Sequence, residues 1–534
     1  MIPIFNRLTL NEWVLIIFVY TEKILSFVIS SMISIIPFTS FSKIYKKDTD
    51  VNQDKESSSI NKRQDFKNYL LSNNTSTLSE KLYMCNSVRD MLLAIDPDIS
   101  METHIVKTQD DYLLQLHRIP YDKSLQRKGV EYKGPVYLQH GLLMCSNIWL
   151  CHSKDPINNN LPLYLNSLGY DVWMGNNRGN RYSNKHFYFE RNSTKFWDFS
   201  LDEMAMYDIP DSLHYILNTL KNETKYNAFD DYIDEIMRKN QQISIIGFSQ
   251  GSAQIFASLS LHPELNSKVN SFVALSPALT PPGLFNRFVD NIIKLQPKLL
   301  FLFFGKKMLL PTASTLWQKI LPINMFNQAI KLSTLILFNW ENKNINFSKT
   351  VAFKNLYSPT SVKCIVHWFQ ILKTQKFQMY VSSNDLNESD HSLFEAIPFP
   401  TKSNIKVPLL LVYGDKDSLV DIETLKYNLP EKSTFETPIS DHEHLDIIWG
   451  DDVNRLVYVN VVKFLEFWKN NNAVSTVKMT TNLIQCAEHV GVDTIDESIL
   501  EPIDMLSKSS EVGEDNMDKN AETEFDFREE LFKY

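Results

Sequence analysis

Hydrophobic positions along the chain fall into short blocks that are separated by polar turns. Five β-prone blocks stand out, and the last three are mostly apolar: 104–107, 112–117, 134–141, 243–248 and 407–414. Apolar blocks of this length are typical of parallel strands that are buried on both faces. A helix-forming stretch from Gln250 to Leu261 directly follows the fourth block, and another is predicted from Leu78 to Ile95. The pattern predicts an α/β fold with a mostly parallel central sheet and helices on both faces.

The first 45 residues carry a separate hydrophobic pattern. The chain is almost wholly apolar from Trp13 to Phe38, except for Thr21, Glu22 and Lys23. A single membrane span needs about 20 apolar residues, and this stretch supplies them if the two charges lie near an interface. A helical hairpin or an interfacial anchor with its turn at the charges also fits, whereas the cleavage site of a secretory signal does not follow. We therefore predict a membrane anchor over residues 1–45.

Two polar segments and one apolar insertion set the remaining boundaries. A stretch rich in Lys, Asp, Ser and Asn follows the anchor, and the end of the chain loses hydrophobic periodicity and gathers acidic residues. An insertion before the fifth block is too apolar for an ordinary surface loop. We predict a polar linker over 46–77, a catalytic domain over 78–473 with a helical cap inserted at about 280–404, and an acidic disordered tail over 474–534.

Composition and charge narrow the class of protein. With 534 residues and 43% hydrophobic content, the chain can bury a substantial core. The net charge of −9 argues against nucleic-acid binding, which needs clustered Lys and Arg. The five cysteines are odd in number and lack the spacing of a disulfide framework, which favours reduced thiols that face the cytosol.

The fourth block runs into the most informative motif of the chain, Gly247-Phe248-Ser249-Gln250-Gly251. A serine between a strand and a helix sits in a strained turn, and the flanking glycines let the strand and the helix pass without Cβ collisions. The turn exposes the hydroxyl, with the helix N-terminus behind it to favour developing negative charge. We predict that Ser249 is a nucleophile, although a structural turn produces the same pattern.

A serine nucleophile needs a general base and a group that orients this base. The fifth block runs into a loop with three aspartates, Asp415, Asp417 and Asp421. Farther along, His444 precedes the apolar run that is predicted to begin the last helix. In α/β-hydrolases the triad follows the chain order serine, aspartate, histidine, and this chain offers that order.

The histidine region also suggests a metal site, because His442-x-His444-x-Asp446 begins the ligand set of the metallo-β-lactamases. That set continues with a histidine directly after the aspartate, where this chain has Ile447. No Cys/His cluster elsewhere in the sequence completes a site. We therefore predict neither a metal nor another cofactor.

The third block ends in His140-Gly141, a turn that can direct a backbone N–H towards the serine. The N–H groups of Leu142 and Gln250 would then form an oxyanion hole, which is a pair of preorganised donors for the negative oxygen of a tetrahedral intermediate. His140 itself is a turn residue in this interpretation, because it precedes the serine in the chain.

Several blocks together resemble the acid lipase family, which includes gastric and lysosomal lipases and the fungal steryl ester hydrolases. The resemblance runs from about Val88 to Trp468, and the blocks occur in the family's order: 138–143, 169–180, 196–204, 247–251 and 444–446. Phe248 and the sequence Ser252-Ala253-Gln254 are most similar to the membrane-bound fungal members that reside on lipid droplets.

The resemblance implies an α/β-hydrolase fold with an inserted cap or lid, and it implies a role for individual residues. Carried over by position, Ser249 is the nucleophile and His444 is the base. Asp417 is the carboxylate, because the family places it three residues after the glycine at position 414.

The function implied by the resemblance is hydrolysis of a lipid ester, most similar to the cleavage of steryl esters into sterol and fatty acid. The expected partners are a neutral lipid and a membrane or lipid-droplet surface, with the endoplasmic reticulum or plasma membrane as alternatives. A triacylglycerol lipase or an acyltransferase would use the same triad. A non-catalytic membrane scaffold on a hydrolase fold is a further alternative, although all three triad residues are present.

Overall fold

The computed structural model describes residues 77–226, 241–285, 297–309, 321–382 and 396–469. The predicted membrane anchor, nearly all of the predicted linker and the predicted acidic tail lie outside these ranges. Inside them, no helix combines the length and the apolar character that a membrane span requires.

The described residues contain one nine-stranded sheet with the order β1-β2-β4-β3-β6-β7-β8-β9, in which β5 pairs with β2. The pairs along β4-β3-β6-β7-β8-β9 are parallel. The three pairs that β2 makes, with β1, β4 and β5, are antiparallel. The predicted α/β fold with a mostly parallel central sheet is therefore confirmed. The strands are β1 (Glu102–Lys107), β2 (Tyr112–Ile119), β3 (Gly134–Gln139), β4 (Tyr170–Met174), β5 (Lys185–His186), β6 (Ile243–Phe248), β7 (Val269–Leu275), β8 (Leu409–Gly414) and β9 (Thr434–Ile439).

Every residue of β3, β4 and β6 is buried, as expected for apolar strands in the centre of a covered parallel sheet. The helices are α1 (Leu78–Met84), α2 (Val88–Ile95), α3 (Lys123–Arg127), α4 (Pro156–Asn159), α5 (Leu161–Ser167), α6 (Leu201–Glu203), α7 (Ile209–Tyr226), α8 (Gln250–Leu261), α9 (Pro297–Phe304), α10 (Ile323–Phe338), α11 (Lys349–Asn355), α12 (Val362–Thr374), α13 (Thr401–Asn404), α14 (Ile422–Tyr427) and α15 (Asp446–Trp449).

The single helix predicted from Leu78 to Ile95 is wrong in one respect, because the structure has two helices there. The backbone leaves the helical region at Cys85, where ψ is 141°. Ser87 then begins α2, since its side chain accepts a hydrogen bond from the N–H of Asp90. A serine N-cap competes with helix continuation and favours a new start.

The stretch predicted as a cap contributes α9, α10, α11, α12 and the short α13 to the described structure. One small apolar cluster joins α9 and the residues after it to α12 through Leu300, Leu309, Val362 and Val366. By contrast, α10 buries Phe326 and Ile330 but leaves several large apolar side chains more than a third exposed. These exposed side chains are Ile323, Met325, Leu332, Leu335 and Ile336.

The four cysteines in the described ranges are free thiols, and all of them are buried. Burial raises the pKa of the Cys85 and Cys364 thiols to about 12. These thiols are therefore protonated at neutral pH and behave as small apolar side chains.

Candidate active site

Ser249 lies in the sharp corner between β6 and α8. Its φ of 54° and ψ of −121° place a residue with a side chain in a strained part of conformational space. A Cβ on Gly247 would lie 2.8 Å from the backbone nitrogen and Cα of Ser252. A Cβ on Gly251 would collide with the carbonyl oxygen of Gln139. The glycines are therefore required by close backbone approach, as the sequence motif predicts.

The structure brings the three predicted triad residues together. His444 Nε2 lies 2.8 Å from Ser249 Oγ, and His444 Nδ1 lies 2.7 Å from Asp417 Oδ2. The side chains of His444 and Asp417 are 4% and 0% exposed. Because a carboxylate only accepts hydrogen bonds, Nδ1 carries the proton in this arrangement, and the lone pair of Nε2 faces the serine hydroxyl.

The three aspartates of the loop after β8 have different partners. Asp417 contacts His444 through Oδ2, and its Oδ1 accepts from the N–H of Leu419 at 2.9 Å. Asp415 Oδ1 accepts from the backbone N–H of residue 441 at 2.8 Å. Asp421 caps α14, because its side chain accepts from the N–H of Thr424. Of these three aspartates, Asp417 is the one with a hydrogen bond to the imidazole.

The residues of the possible metal motif bond to separate protein groups. His442 contacts the carbonyl of Ser440 and a carboxylate oxygen of Asp452, at 2.7 and 3.0 Å. Asp446 Oδ2 accepts from the N–H of Glu443 at 2.8 Å. Within the described ranges, no group of three or more histidine, cysteine or acidic side chains is placed to hold a metal ion.

His140 holds the turn that is predicted to supply one oxyanion donor. Its Nε2 accepts from the backbone N–H of Asn177 at 3.1 Å, so its Nδ1 carries the proton that is donated to the Gly141 carbonyl at 2.8 Å. Burial lowers the pKa of His140 to about 4, which keeps the ring neutral at neutral pH. The Gly141 carbonyl and the Leu142 N–H belong to one planar peptide unit, so this bond fixes the direction of that N–H.

The loop after β4 fixes the position of His140 through the hydrogen bond from Asn177. Asn177 accepts from the Gln139 side chain at 2.6 Å. The next residue, Arg178, is fully buried and pairs with Asp208 and Asp110 at 2.7 and 2.6 Å. Sequence reasoning did not assign a role to this loop. The signal was the run of polar residues Asn176, Asn177 and Arg178, which begins two residues after a buried strand.

Gln250, the second predicted oxyanion donor, is the first residue of α8. Its side-chain oxygen accepts from the indole N–H of Trp368 at 2.6 Å, and the thiol of Cys364 lies 3.5 Å away. Both partners belong to α12 of the predicted cap. The cap therefore contacts the residue that directly follows Ser249.

Trp340 is a residue that the sequence analysis did not single out. Its ring lies parallel to the His444 ring, with 5.0 Å between the centroids and 5° between the planes. The sequence signal was an aromatic residue inside an apolar run of the insertion, which periodicity alone could not connect to a histidine about 100 residues later.

Comparisons with known proteins agree with this architecture. Residues 134–451 match the family described as alpha/beta hydrolase fold, and residues 93–153 match the partial alpha/beta-hydrolase lipase region. A protein of Schizosaccharomyces pombe named as a probable lipase is 45% identical over 68% of this chain and 74% of its own length. Rat lysosomal acid lipase/cholesteryl ester hydrolase is 33% identical over 70% of this chain and 93% of its own. Human gastric triacylglycerol lipase is 30% identical over 68% and 87%.

Proposed function

Since this chain belongs to the α/β-hydrolase lipases and is a carboxylic ester hydrolase, we propose that it cleaves steryl esters into sterol and fatty acid. Ser249, His444 and Asp417 would carry out the reaction. The observation that carries the proposal is the continuous hydrogen-bonded chain from the serine hydroxyl through the imidazole to a buried carboxylate.

In the first half-reaction His444 accepts the hydroxyl proton while Ser249 Oγ attacks the ester carbonyl carbon. The carbonyl oxygen becomes an oxyanion that accepts hydrogen bonds from the N–H groups of Leu142 and Gln250. When the tetrahedral intermediate collapses, the ester C–O bond breaks and the leaving sterol oxygen takes the proton from His444. Asp417 stabilises the imidazolium that exists between these two proton transfers.

In the second half-reaction water takes the place of the sterol. His444 accepts a proton from the water molecule as its oxygen attacks the acyl carbon. The acyl–Oγ bond then breaks, the proton returns to Ser249, and the fatty acid leaves. Acyl transfer to an alcohol would follow the same steps with an alcohol instead of water.

Three features support a neutral lipid with long acyl chains as substrate. The predicted cap is apolar, and its helix α10 carries large exposed apolar side chains. One relative is named as a cholesteryl ester hydrolase and another as a triacylglycerol lipase. The sequence around Ser249 resembles the fungal steryl ester hydrolases at Phe248 and at residues 252–254. This last resemblance favours the steryl ester over the triacylglycerol.

We also propose that the enzyme works at a membrane or lipid-droplet surface. The proposal rests on the apolar stretch from Trp13 to Phe38, since steryl esters are insoluble in water and collect in such phases. Cell fractionation tests it: deletion of residues 1–45 should move the protein from the lipid-droplet fraction to the soluble fraction. Unchanged droplet association after this deletion would contradict the anchor.

Product analysis separates steryl ester hydrolysis from the alternatives. The full-length protein is incubated with detergent-stabilised emulsions of cholesteryl oleate and of trioleoylglycerol, with free sterol added in a parallel reaction. We expect oleate release to be faster from cholesteryl oleate. Faster release from trioleoylglycerol alone would identify a triacylglycerol lipase, and net steryl ester synthesis would identify an acyltransferase. A protein without turnover that also resists fluorophosphonate labelling would be a scaffold.

A further inference from the structure

Trp340 covers one face of the His444 imidazole. The two rings are parallel within 5°, and their centroids are 5.0 Å apart. Trp340 is only 4% exposed, so the contact is shielded from water. The Phe248 ring lies 5.2 Å from the imidazole at a tilt of 50°. The ring edges of His444 are used by Ser249 and Asp417, and the stacked indole uses a ring face that neither of them contacts.

The segment that carries Trp340 is tied to the two loops that carry His444 and Asp417. Both oxygens of Glu443, the residue before His444, accept backbone N–H bonds at 2.8 Å, from Glu341 and Asn342. On the other side, the Ser418 hydroxyl donates to the carbonyl of residue 338 at 2.7 Å. The segment around Trp340 is therefore fixed to the catalytic loops, although it belongs to the predicted cap.

A second aromatic ring holds the indole in its orientation. Phe338 stacks on Trp340 with 4.3 Å between the centroids and 24° between the planes. Trp340 is therefore held by hydrogen bonds to the backbone on both sides of it in the chain, and by the ring of Phe338 stacked on its own ring.

Ring charge explains what this stack can contribute. The face of an aromatic ring is negative, so a cation within about 6 Å of the centroid is attracted, and the indole ring is the most effective. His444 is neutral before reaction and positively charged while it holds the proton of Ser249. The attraction is therefore stronger in the transition state than in the ground state, and such a difference raises kcat.

We propose that Trp340 is a positioning residue that acts through His444: its ring face holds the imidazole in plane and stabilises the imidazolium that forms during attack by Ser249. The proposal rests on the proposed function only in the assignment of Ser249 and His444, and it is independent of the lipid that is cleaved.

Fluorinated tryptophans test the proposal, because ring fluorine withdraws negative charge from the face of the indole. The shape of the side chain changes very little. The protein is produced with tryptophan, 5-fluorotryptophan or 5,7-difluorotryptophan, and the rate of fluorophosphonate labelling of Ser249 is measured. In this reaction the Oγ–P bond forms, the P–F bond breaks, fluoride leaves, and His444 accepts the hydroxyl proton. We expect the rate constant to fall by roughly twofold for each fluorine.

The matched control is Trp340→Phe, grown with the same analogues. It carries fluorine at the other eight of the nine tryptophans, so its labelling rate should not depend on fluorination. Among variants made with ordinary tryptophan, Trp340→Leu should react with the fluorophosphonate roughly 3- to 30-fold more slowly than the wild type. Trp340→Phe should retain a higher rate than Trp340→Leu. If Trp340→Leu fails to fold, the comparison of the fluorinated wild type with fluorinated Trp340→Phe still decides, because both proteins keep an aromatic ring at this position.

The possible outcomes separate this proposal from the proposed function. A rate that is insensitive to fluorine, or equally sensitive in Trp340→Phe, overturns the role of Trp340 alone. Absence of labelling at Ser249 in every protein overturns the nucleophile and the role of Trp340 with it. Labelling that falls with fluorine supports the role of Trp340 even if the enzyme proves to prefer triacylglycerols.

Discussion

His444 Nδ1 and Asp417 Oδ2 lie 2.7 Å apart, although 27 residues separate them in the chain. The contact is buried, and it commits Nδ1 to the carboxylate, so that Nε2 remains for the hydroxyl of Ser249. The loops after β8 and β9 thus impose one tautomer on the imidazole, and the catalysis that we propose for Ser249 would depend on this tautomer.

Asp417→Asn should lower kcat for ester hydrolysis by about 10⁴-fold, because an amide can donate to Nδ1 and favour the wrong tautomer. The steady-state rate of fatty acid release measures the effect. The neighbouring loop aspartates supply matched controls, since Asp415 and Asp421 bond elsewhere.

Asp415→Asn should remain within a few-fold of the wild-type rate, because its oxygen can still accept a hydrogen bond. Asp421→Ala removes the cap of α14 and should cost about 1 kcal/mol of unfolding free energy with little loss of rate. A larger rate loss in either control than in Asp417→Asn would contradict the assignment of the carboxylate.

Gly414→Ala should disrupt the pairing of Asp417 with His444. A Cβ at this position would collide with the backbone carbonyl of His442, so the histidine loop would have to move away. A displacement of about 1 Å at a catalytic group can cost on the order of 10²-fold in rate. We expect a loss of at least tenfold in kcat. Gly305→Ala is the control for backbone strain: its φ of 84° disfavours alanine, but nothing lies within 4 Å of its Cβ position, so it should lose stability without a collision in the triad loops. Wild-type activity of Gly414→Ala would show that Gly414 and the loop that carries His444 do not lie in close contact.

His140→Ala should lower kcat by roughly 10²-fold and leave KM nearly unchanged, because the Gly141–Leu142 peptide would lose the bond that directs its N–H. His117→Ala is a control, as His117 is also buried but its ring bonds to Gln115 and Ser146 instead of the Gly141 carbonyl. Both variants should lose stability, which thermal unfolding would register. Equal kcat values for the two folded variants would contradict a specific role of His140.

Asp202→Asn should change how stability depends on pH. Burial raises the pKa of Asp202 from 3.8 to about 7. Between these values the folded protein holds a proton that the unfolded chain has lost, so the contribution of this carboxyl to stability falls as the pH rises. Asparagine does not titrate, so the variant does not lose this contribution as the pH rises. The difference between the Tm of the variant and the Tm of the wild type should therefore increase by roughly 2 to 5 °C from pH 4 to pH 7. A constant or falling difference would contradict the raised pKa.

Local sequence signals were sufficient for five strands of the sheet and for the corner at Ser249, whereas β4, β5, β7 and β9 were not among the predicted blocks. Apolar blocks report strand burial directly, and the glycines at 247 and 251 report a close approach that only glycine allows. The choice of Asp417 among three aspartates needed the family register, because composition alone does not distinguish a triad carboxylate from a helix cap. The break between the two helices at Cys85 was not predicted, because the apolar pattern continues across it. The break depends on the N-cap that the Ser87 side chain forms.

Long-range packing produced the contacts that the sequence could not predict. The ring of Trp340 meets His444 only after the insertion folds back on the loop that follows β9. The same holds for His140, which resembles a turn residue until Asn177 is placed behind it by β4. Both contacts join residues from separate blocks, and no local periodicity encodes such a pairing.

A single substitution shows whether Ser249 is the nucleophile of lipid ester hydrolysis. Oleate release from a cholesteryl oleate emulsion is measured for the wild type and for Ser249→Ala, with far-UV circular dichroism to show that both are folded. We expect a loss of at least ~10⁴-fold in the variant, since the imidazole would have no hydroxyl to activate. Undiminished hydrolysis by folded Ser249→Ala would contradict it.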